Sequence, residues 1–252
     1  MIGVLLRKEW IETTRSYRII WLPLLFVLLG IMQPLTSYYL SDLLEQFGGL
    51  PDGAMFVIPT PTAEMVFAET LGQYSQIGTF ILVLAFMGTL SRERMNGESV
   101  WLLIKPVSYT SYLLAKYMTA FTVTTVSFLA GIAVTLVYII QLFGTLSMSA
   151  LLFSIFAYWL WLMFVVSVTV TFSALMKSQI VAGGLALGII FLLQIISSLF
   201  HQQVLWLPAT LVDLAVQFEH EGSTMPIALT IITMGMLVYG AAQYMKRTDW
   251  LV

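Results

Sequence analysis

The sequence predicts an all-α membrane protein with six transmembrane helices, an N-terminal amphipathic interfacial helix and both termini in the cytoplasm. Its composition is the first reason. Of the 252 residues, 59% are hydrophobic and only 10% are charged, whereas a soluble domain carries about 25% charged residues. The arrangement of the charged residues is the second reason, because they separate apolar stretches that are long enough to cross a bilayer.

Five long stretches without Asp, Glu, Lys or Arg define the six predicted spans. A helix needs roughly 20 apolar residues to cross the hydrocarbon core, and the longest stretch, between Lys116 and Lys177, holds two helices joined by a tight turn at 144–147. The spans are predicted near 19–40, 73–90, 117–143, 148–173, 179–200 and 224–245. The first span is too long for a signal peptide and no A-x-A-like cleavage site follows it, so it is predicted to be retained. Residues 1–252 are therefore predicted to form one transmembrane domain.

The basic residues predict the orientation of these spans. All 11 Lys and Arg residues precede the first span, lie in the loops after the second and fourth spans, or follow the sixth span. Lys and Arg beside a span are retained on the cytoplasmic side. The loops 41–72 and 201–223 contain acidic residues and no Lys or Arg, so they are predicted to be external. Within the second of these loops, residues 204–218 are apolar enough to predict a short re-entrant or interfacial helix over the bundle mouth.

Residues 1–18 are predicted to form an elbow helix in the cytoplasmic interface. Apolar side chains lie on one side of this helix at positions Ile2, Leu6, Trp10, Tyr17 and Ile20. Basic side chains lie on the other side at Arg7, Lys8, Arg15 and Arg18. Such a helix places its apolar stripe in the acyl boundary and its basic side towards anionic headgroups. Two interpretations stay open: a membrane anchor alone, or an elbow that also contacts a cytoplasmic partner.

The predicted cytoplasmic loop 91–116 has a charged beginning and an apolar continuation. The charged residues are Arg92, Glu93, Arg94 and Glu98, and the apolar run begins with Trp101 and Leu102. Arg94 and Glu98 can support each other on a helix at i, i+4 spacing. An exposed helix that presents Trp and Leu is costly unless it docks into something. The loop is predicted to contact a partner, although packing on the membrane or on its own bundle is the alternative.

The sequence lacks the residues that several kinds of catalytic site and transport mechanism require. There is no cysteine, no G-x-x-x-x-G-K-[ST] nucleotide motif and no G-x-S-x-G nucleophile motif. The two histidines, His201 and His220, do not have the spacing of a metalloprotease site, so no metal or catalytic site is predicted. No charged residue or histidine lies inside the predicted spans, which argues against an ion-coupled transporter, since such proteins commonly keep one there.

Small and hydroxyl residues in the spans leave further alternatives open. Gly184 and Gly188 form a G-x-x-x-G motif, which lets helices approach closely. We predict that the motif packs helices within the chain, with a dimer contact as the alternative. Hydroxyl groups recur at 122–127 and 167–173. They can line a polar path or bond to backbone carbonyl groups of their own helices.

With these features in place, the sequence resembles the membrane permease subunits of ATP-binding-cassette (ABC) transporters of the type-2 exporter class. The resemblance covers nearly the whole chain and rests on the elbow sequence LRKEWIETTR (6–15), the six spans and the loop after the second span. Within that loop and just after it, RER (92–94), GE (97–98), LLIKP (102–106) and LAK (114–116) resemble the family's coupling-helix region. The charged stretch KRTD (246–249) resembles its C-terminal tail.

The resemblance implies a multi-pass permease subunit, without enzymatic activity of its own, in a bacterial plasma membrane. It would pair with an identical or related second permease and with two cytoplasmic ABC ATPase subunits, which would bind the ATP and Mg²⁺; no cofactor is expected in this chain and no nucleic acid among its partners. The residues implied in ATPase coupling are Arg92, Glu93, Arg94, Gly97, Glu98, Trp101 and Leu102. Those implied in the elbow interface are Arg7, Lys8, Glu9, Trp10 and Arg15. A stand-alone transporter and a non-transporting assembly or signalling subunit are the alternatives.

Overall fold

A computed structural model describes residues 2–47, 61–97, 108–200, 203–218 and 224–247 of the chain, with side chains described for the same ranges except 41–47. Every regular element in these residues is helical. The helices are α1 (Ile2–Arg15), α2 (Arg18–Phe47), α3 (Ala63–Gln73), a π-helical turn (Tyr74–Gly78), α4 (Thr79–Phe86), α5 (Ser91–Met95), α6 (Tyr109–Leu142), α7 (Met148–Leu175), α8 (Gln179–Leu199), α9 (Thr210–Gln217) and α10 (Thr224–Arg247).

The prediction of an all-α protein with six membrane-spanning helices is confirmed. Within the described ranges, six helical stretches are long and apolar enough to cross a membrane: Arg18–Leu40, Ala63–Met95, Tyr109–Leu142, Met148–Leu175, Gln179–Leu199 and Thr224–Arg247. Helix α1 contacts α6, α5 contacts α7 and α8, and Tyr244 of α10 lies against Leu175 of α7, so α1, α5, the α7–α8 turn and the C-terminal end of α10 share one end of the bundle. Because this end carries the basic residues, it is called the basic end below.

Two spans begin earlier than the charge-free stretches predict. The second begins at Ala63 rather than near 73, and the third begins at Tyr109 rather than near 117. The Ser108 side chain caps the third span by accepting a hydrogen bond from the Ser111 N–H at 3.2 Å. This helix continues through Lys116 because carboxylates of the same chain neutralise the lysine, a pairing that a count of charge-free residues does not detect.

The N-terminal elbow is a separate helix that ends before Tyr17. Tyr17 has a φ of +55°, a left-handed conformation that ends a right-handed helix. Tyr17 and Ile20, which were expected to continue the apolar stripe of α1, therefore belong to the turn and to α2. The turn is needed because a helix that lies in the interface has to change direction before it crosses the bilayer.

The tightest helix crossing joins α2 and α6 and is built around two glycines. A Cβ atom at Gly30 would lie 2.8 Å from the Gly131 carbonyl oxygen, and one at Gly131 would lie 2.9 Å from the Phe26 carbonyl oxygen. The Tyr74 hydroxyl donates to that same Phe26 oxygen at 2.8 Å, and Thr135 Oγ1 donates to the Gly30 oxygen at 3.2 Å. Small residues thus allow close backbone approach, and hydroxyl groups fasten it.

Helix α7 is the centre of the bundle. An apolar stretch of 18 residues in this helix is 72% buried, against 28% in α8 and 22% in α10. It packs against α4, α6, α8, α9 and α10. Its Trp161 and Tyr158 side chains are completely buried. Helix α7 therefore contacts most of the other helices, while α8 and α10 lie at the edge of the bundle.

The apolar segment 204–218 packs onto the end of the bundle opposite the basic end. It contains α9, which contacts α3 and α7. Ser154 of α7 donates a hydrogen bond to the Ala215 carbonyl oxygen, and the rings of Phe67 and Phe218 lie 5.9 Å apart. Asp213 accepts a hydrogen bond from Ser197 of α8 at 3.0 Å. The segment thus bridges three helices of the bundle. His201 and His220 lie outside the described residues.

Candidate functional site: a buried ion cluster at the basic end

Charged side chains from three separate helices meet inside the basic end. α1 contributes Lys8, Glu9 and Glu12, α5 contributes Glu93, and α6 contributes Lys116. These residues, with Tyr112 of α6, are called the ion cluster. Glu93 is 3% exposed and Lys116 is 1% exposed. Charged residues are almost never buried to this extent unless they are paired.

Lys116 is the centre of the cluster. Its Nζ lies 2.7 Å from Glu93 Oε1 and 2.9 Å from Glu9 Oε2. Its ammonium group also lies 5.6 Å from the centroid of the Tyr112 ring, which is within cation–π range. One lysine on α6 therefore joins the elbow helix to α5.

Glu93 accepts hydrogen bonds at both of its carboxylate oxygens. Lys116 and Lys8 donate to Oε1, and the Tyr112 hydroxyl donates to Oε2. A buried carboxylate with this many donors is held in a single orientation. Helix α5 cannot move relative to α1 and α6 without breaking these bonds.

The α1 side of the cluster explains which face of the elbow helix packs on the protein. Leu5, Glu9 and Thr13 are buried at i, i+4 and i+8. Lys8 bonds Glu9 at 3.1 Å and Glu12 at 3.4 Å. The polar side predicted to face headgroups therefore includes Lys8, which binds carboxylates of its own chain instead. Burial by itself lowers the pKa of Lys8, but attraction to Glu93, Glu9 and Glu12 outweighs it and raises that pKa above its ordinary value.

The charges of the cluster are nearly balanced by the chain itself. The three carboxylates of Glu9, Glu12 and Glu93 face two ammonium groups, and the half-buried Arg18 lies within electrostatic range of all three acids. The oxygens of these acids come within 4.8 Å of one another, a spacing that could hold a metal ion. Lysine ammonium groups already bind these oxygens, so the arrangement is that of an ion-pair network.

Helix α5 is also fastened to the fourth and fifth spans. The Ser173 hydroxyl oxygen of α7 accepts hydrogen bonds from the N–H groups of Leu90 and Ser91, at 2.9 and 3.1 Å. In the preceding turn, a Cβ atom at Gly88 would lie 2.8 Å from the side-chain oxygen of Gln179 in α8. Together with the ion cluster, these contacts place α5 where the elbow and three spans converge.

The predicted coupling residues separate into two groups on α5. Glu93 is turned inwards, whereas Arg92 and Met95 are exposed and Arg94 is half-buried. Gly97 follows with a φ of +71° and open space around its Cβ position, a conformation that favours glycine. Glu98, Trp101 and Leu102 lie outside the described residues. The outward surface of α5 is therefore formed by Arg92 and Met95, with Glu93 anchoring the opposite face.

The predicted elbow residues are likewise divided between the two faces of α1. Arg7, Arg15 and Trp10 are exposed, with Trp10 at 41%. Lys8 and Glu9 belong to the ion cluster. The exposed apolar residues of α1 are available to the membrane, and Glu9 braces the helix against α6 rather than pointing to a partner.

The glycine motif on α8 does not pack helices within the described part of the chain. Gly184 and Gly188 are exposed and have no atom within 4 Å of their Cβ positions. Gly183 makes the close contact instead, since a Cβ atom there would lie 2.6 Å from Met87 Sδ. The sequence predicted the packing contact at Gly184, one position after the packed Gly183, because the spacing of glycines alone does not fix the rotation of a helix.

Most of the hydroxyl groups in the spans bond to backbone carbonyls rather than lining a path. Ser127, Ser167, Thr169 and Thr171 each donate to the carbonyl oxygen four residues earlier, at 2.7 to 2.8 Å. This is the usual way for a lipid-embedded helix to satisfy such groups. Three hydroxyl groups differ: Ser173 caps α5, Thr125 accepts a hydrogen bond from the Trp159 indole at 2.9 Å, and Thr124 has no hydrogen-bond partner among the described residues.

Three residues of the cluster, Glu12, Tyr112 and Lys116, were not among the predicted site residues. Glu12 and Lys8 form an i, i+4 pair that the sequence does display. The long-range partners could not be found this way, because Lys8 and Glu93 are 85 positions apart. The remaining signal in the sequence is that few charged residues lie near the spans. A charge that is buried there needs a partner, so these few residues are expected to pair with one another.

Comparison with known proteins identifies the family. The model of the ABC-2 family transporter proteins matches residues 4–247. The chain belongs to the ABC-2 transporter family. It is also 31% identical over 216 residues to the uncharacterized transmembrane protein YxlG of Bacillus subtilis (strain 168), covering 86% of this chain and 83% of that protein. The predicted resemblance is thereby confirmed, and this ABC-2 family member is a membrane component of a transporter.

Proposed function

We propose that this ABC-2 family member is the permease subunit of an exporter that separate cytoplasmic ABC ATPases drive. The observation that carries the proposal is the position of α5, which presents Arg92 and Met95 outwards while Glu93 ties it to α1 and α6. The chain has no P-loop motif of its own. The ATP and Mg²⁺ would therefore be bound by the ATPase subunits.

In this proposal α5 acts as a mechanical link. An ATPase that closes on nucleotide pushes the exposed face of α5. The displacement reaches α1 and α6 through Glu93, and reaches α7 through the hydrogen bonds of Ser173. Because the ion cluster is buried and rigidly bonded, the push moves helices as units rather than bending a loop. The tilt of the spans changes access to a path formed with a second permease.

The orientation and the partner permease are parts of the same proposal. The basic end is placed in the cytoplasm, where Lys and Arg beside spans are retained. A second permease subunit, identical or related, packs against an exposed helix face. The exposed glycines of α8, Gly184 and Gly188, support a close approach there because no described residue has an atom within 4 Å of their Cβ positions.

The proposal is tested by purifying the tagged chain from membranes of its own host and identifying the proteins that remain bound. We expect a P-loop ATPase in a fixed ratio to the permease. Met95→Glu places a carboxylate on the exposed face of α5 and is expected to lower ATPase recovery at least about tenfold, since charge mismatch at a contact is costly. Absence of any P-loop ATPase from the wild-type complex would contradict the proposal.

Met65→Glu is the matched control. Met65 is exposed in the first turn of α3, at the end of the bundle opposite the basic end. An added carboxylate is tolerated at a helix N-terminus. This variant should recover as much ATPase as the wild type does, and equal losses in both variants would place the contact elsewhere.

A further inference from the structure

An apolar groove runs along the outside of the bundle between α8 and α10. Its floor is α7, and the 206–208 segment closes one end. The groove has a volume of about 730 Å³, within the roughly 300–1,000 Å³ of sites that bind small ligands. It is separate from the ion cluster and from the outward face of α5, so it has no part in the coupling proposed above.

The lining offers a ligand almost no hydrogen-bonding groups. Leu175, Ile189 and Leu237 are typical of its walls. The two threonines in the lining, Thr171 and Thr233, use their hydroxyl groups on backbone carbonyls of their own helices, at 2.8 and 2.9 Å. Methyl and methylene surfaces therefore face the groove, which suits a hydrocarbon chain.

The groove is as long as one lipid acyl layer. Its lining runs from Phe164 to Leu175 on α7 and from Thr233 to Tyr244 on α10. At about 1.5 Å per residue these stretches are roughly 16 Å long, and half of the hydrocarbon core is about 15 Å. A chain of one leaflet would therefore fill it from end to end.

Basic residues lie where the groove reaches the basic end. Tyr244 and Leu175 form this end, and the Tyr244 hydroxyl lies 3.5 Å from the Leu175 carbonyl oxygen. Lys177 follows Leu175 by two positions, and Lys246 and Arg247 follow Tyr244 by two and three. All three basic side chains are exposed. An apolar chain in the groove would thus carry its headgroup to the end of the groove beside which these basic residues follow.

We propose that the groove holds an acyl chain of an anionic phospholipid whose phosphate is bound by Lys177, Lys246 and Arg247. The alternative occupant, a second copy of this chain related by a two-fold axis, would bring two such sets of cations together. Like charges brought together at an interface are costly. A phosphate group instead complements them. The site therefore selects a lipid by its charge as well as by its apolar chain.

The test is native mass spectrometry of the delipidated protein, titrated with phosphatidylglycerol or with phosphatidylcholine of the same acyl chains. We expect tighter binding of phosphatidylglycerol. Lys246→Gln with Arg247→Gln should reduce that preference about 25-fold, since each cation near the surface contributes about fivefold. The control, Arg92→Gln, removes one cation from the exposed face of α5 and should keep the preference, whereas Arg247→Gln alone should reduce it about fivefold.

A second pair of variants tests the groove itself. Gly240 lines the groove and has open space at its Cβ position, so Gly240→Phe should fill the groove and remove the bound lipid without disturbing the fold. Gly235, on the same helix and equally open, does not line the groove, so Gly235→Phe should bind lipid as the wild type does.

Three results would overturn the proposal. Equal retention of both lipids by the wild type, or equal losses in all variants, would mean that the protein holds only a general lipid shell. A dimer that Gly240→Phe dissociates, with no lipid bound to the wild type, would show that a second copy occupies the groove.

Discussion

At the scale of single residues, Lys116 shows how this chain tolerates charge near the membrane. A lysine in a membrane helix is expensive, and here it is accepted because Glu9 and Glu93 lie within 2.9 Å of its ammonium group. The chain has 24 charged residues, 11 basic and 13 acidic, and five of them meet in this one cluster. Their concentration at the junction of α1, α5 and α6 indicates a role in holding that junction together.

Replacing Lys116 by Met should destabilise the protein by about 3–5 kcal/mol, because Glu9 and Glu93 lose their central partner while they stay buried. Thermal unfolding in detergent measures this as a lower melting temperature. Arg7→Met is the control, because Arg7 is exposed on the same end of the bundle and its loss should cost less than about 0.5 kcal/mol. Equal melting temperatures for the two variants would show that the cluster does not stabilise the fold.

Gly131→Ala should separate α2 from α6 and cost about 1–3 kcal/mol, because the new methyl group would lie 2.5 Å from the Tyr74 hydroxyl and 2.9 Å from the Phe26 carbonyl oxygen. Gly184→Ala is the matched substitution in open space and should leave stability unchanged or slightly higher. Melting curves of the two variants give the comparison. A harmless Gly131→Ala would mean that the helices cross at a greater distance.

At the scale of helices, the sequence predicted which segments are helical far better than which faces pack. Charge-free stretches locate the six spans because lipid excludes charge. The π-helical turn at Tyr74–Gly78 was not predicted, since it depends on contacts between Tyr74 and other helices. The rotation of α8 and the inward direction of Glu93 were likewise beyond the sequence, because both depend on partners far away along the chain.

The two faces of α5 should respond differently to the loss of one charge. Glu93→Gln removes a buried carboxylate and should lower stability by about 3 kcal/mol, whereas Arg92→Gln alters only the exposed face and should leave melting unchanged. In the complex with the ATPase, Arg92→Gln should nevertheless reduce ATPase binding. Measuring melting and ATPase recovery for both variants separates the two effects. The assignment fails if Arg92→Gln destabilises the protein as much as Glu93→Gln does.

At the scale of the whole molecule, the absence of cysteine makes the orientation directly measurable. Single cysteines introduced in a chain that contains none can be labelled in intact cells with a membrane-impermeant maleimide. Ala54→Cys, in the loop predicted to be external, should react from outside, and a cysteine in place of Lys246 should react only after the membrane is opened. The opposite labelling pattern would mean that the protein has the reverse orientation, with α5 on the external side of the membrane, where a cytoplasmic ATPase cannot reach it.

The central claim, that the exposed face of α5 contacts an ABC ATPase, is tested most directly by site-specific photo-cross-linking. A photoreactive amino acid at position 92 should form an adduct with a P-loop ATPase in native membranes, and the same amino acid at position 65 should not. Adduct formation with the ATPase at 92 alone is the predicted result. No ATPase adduct at 92, in a complex that still contains the ATPase, would contradict the account.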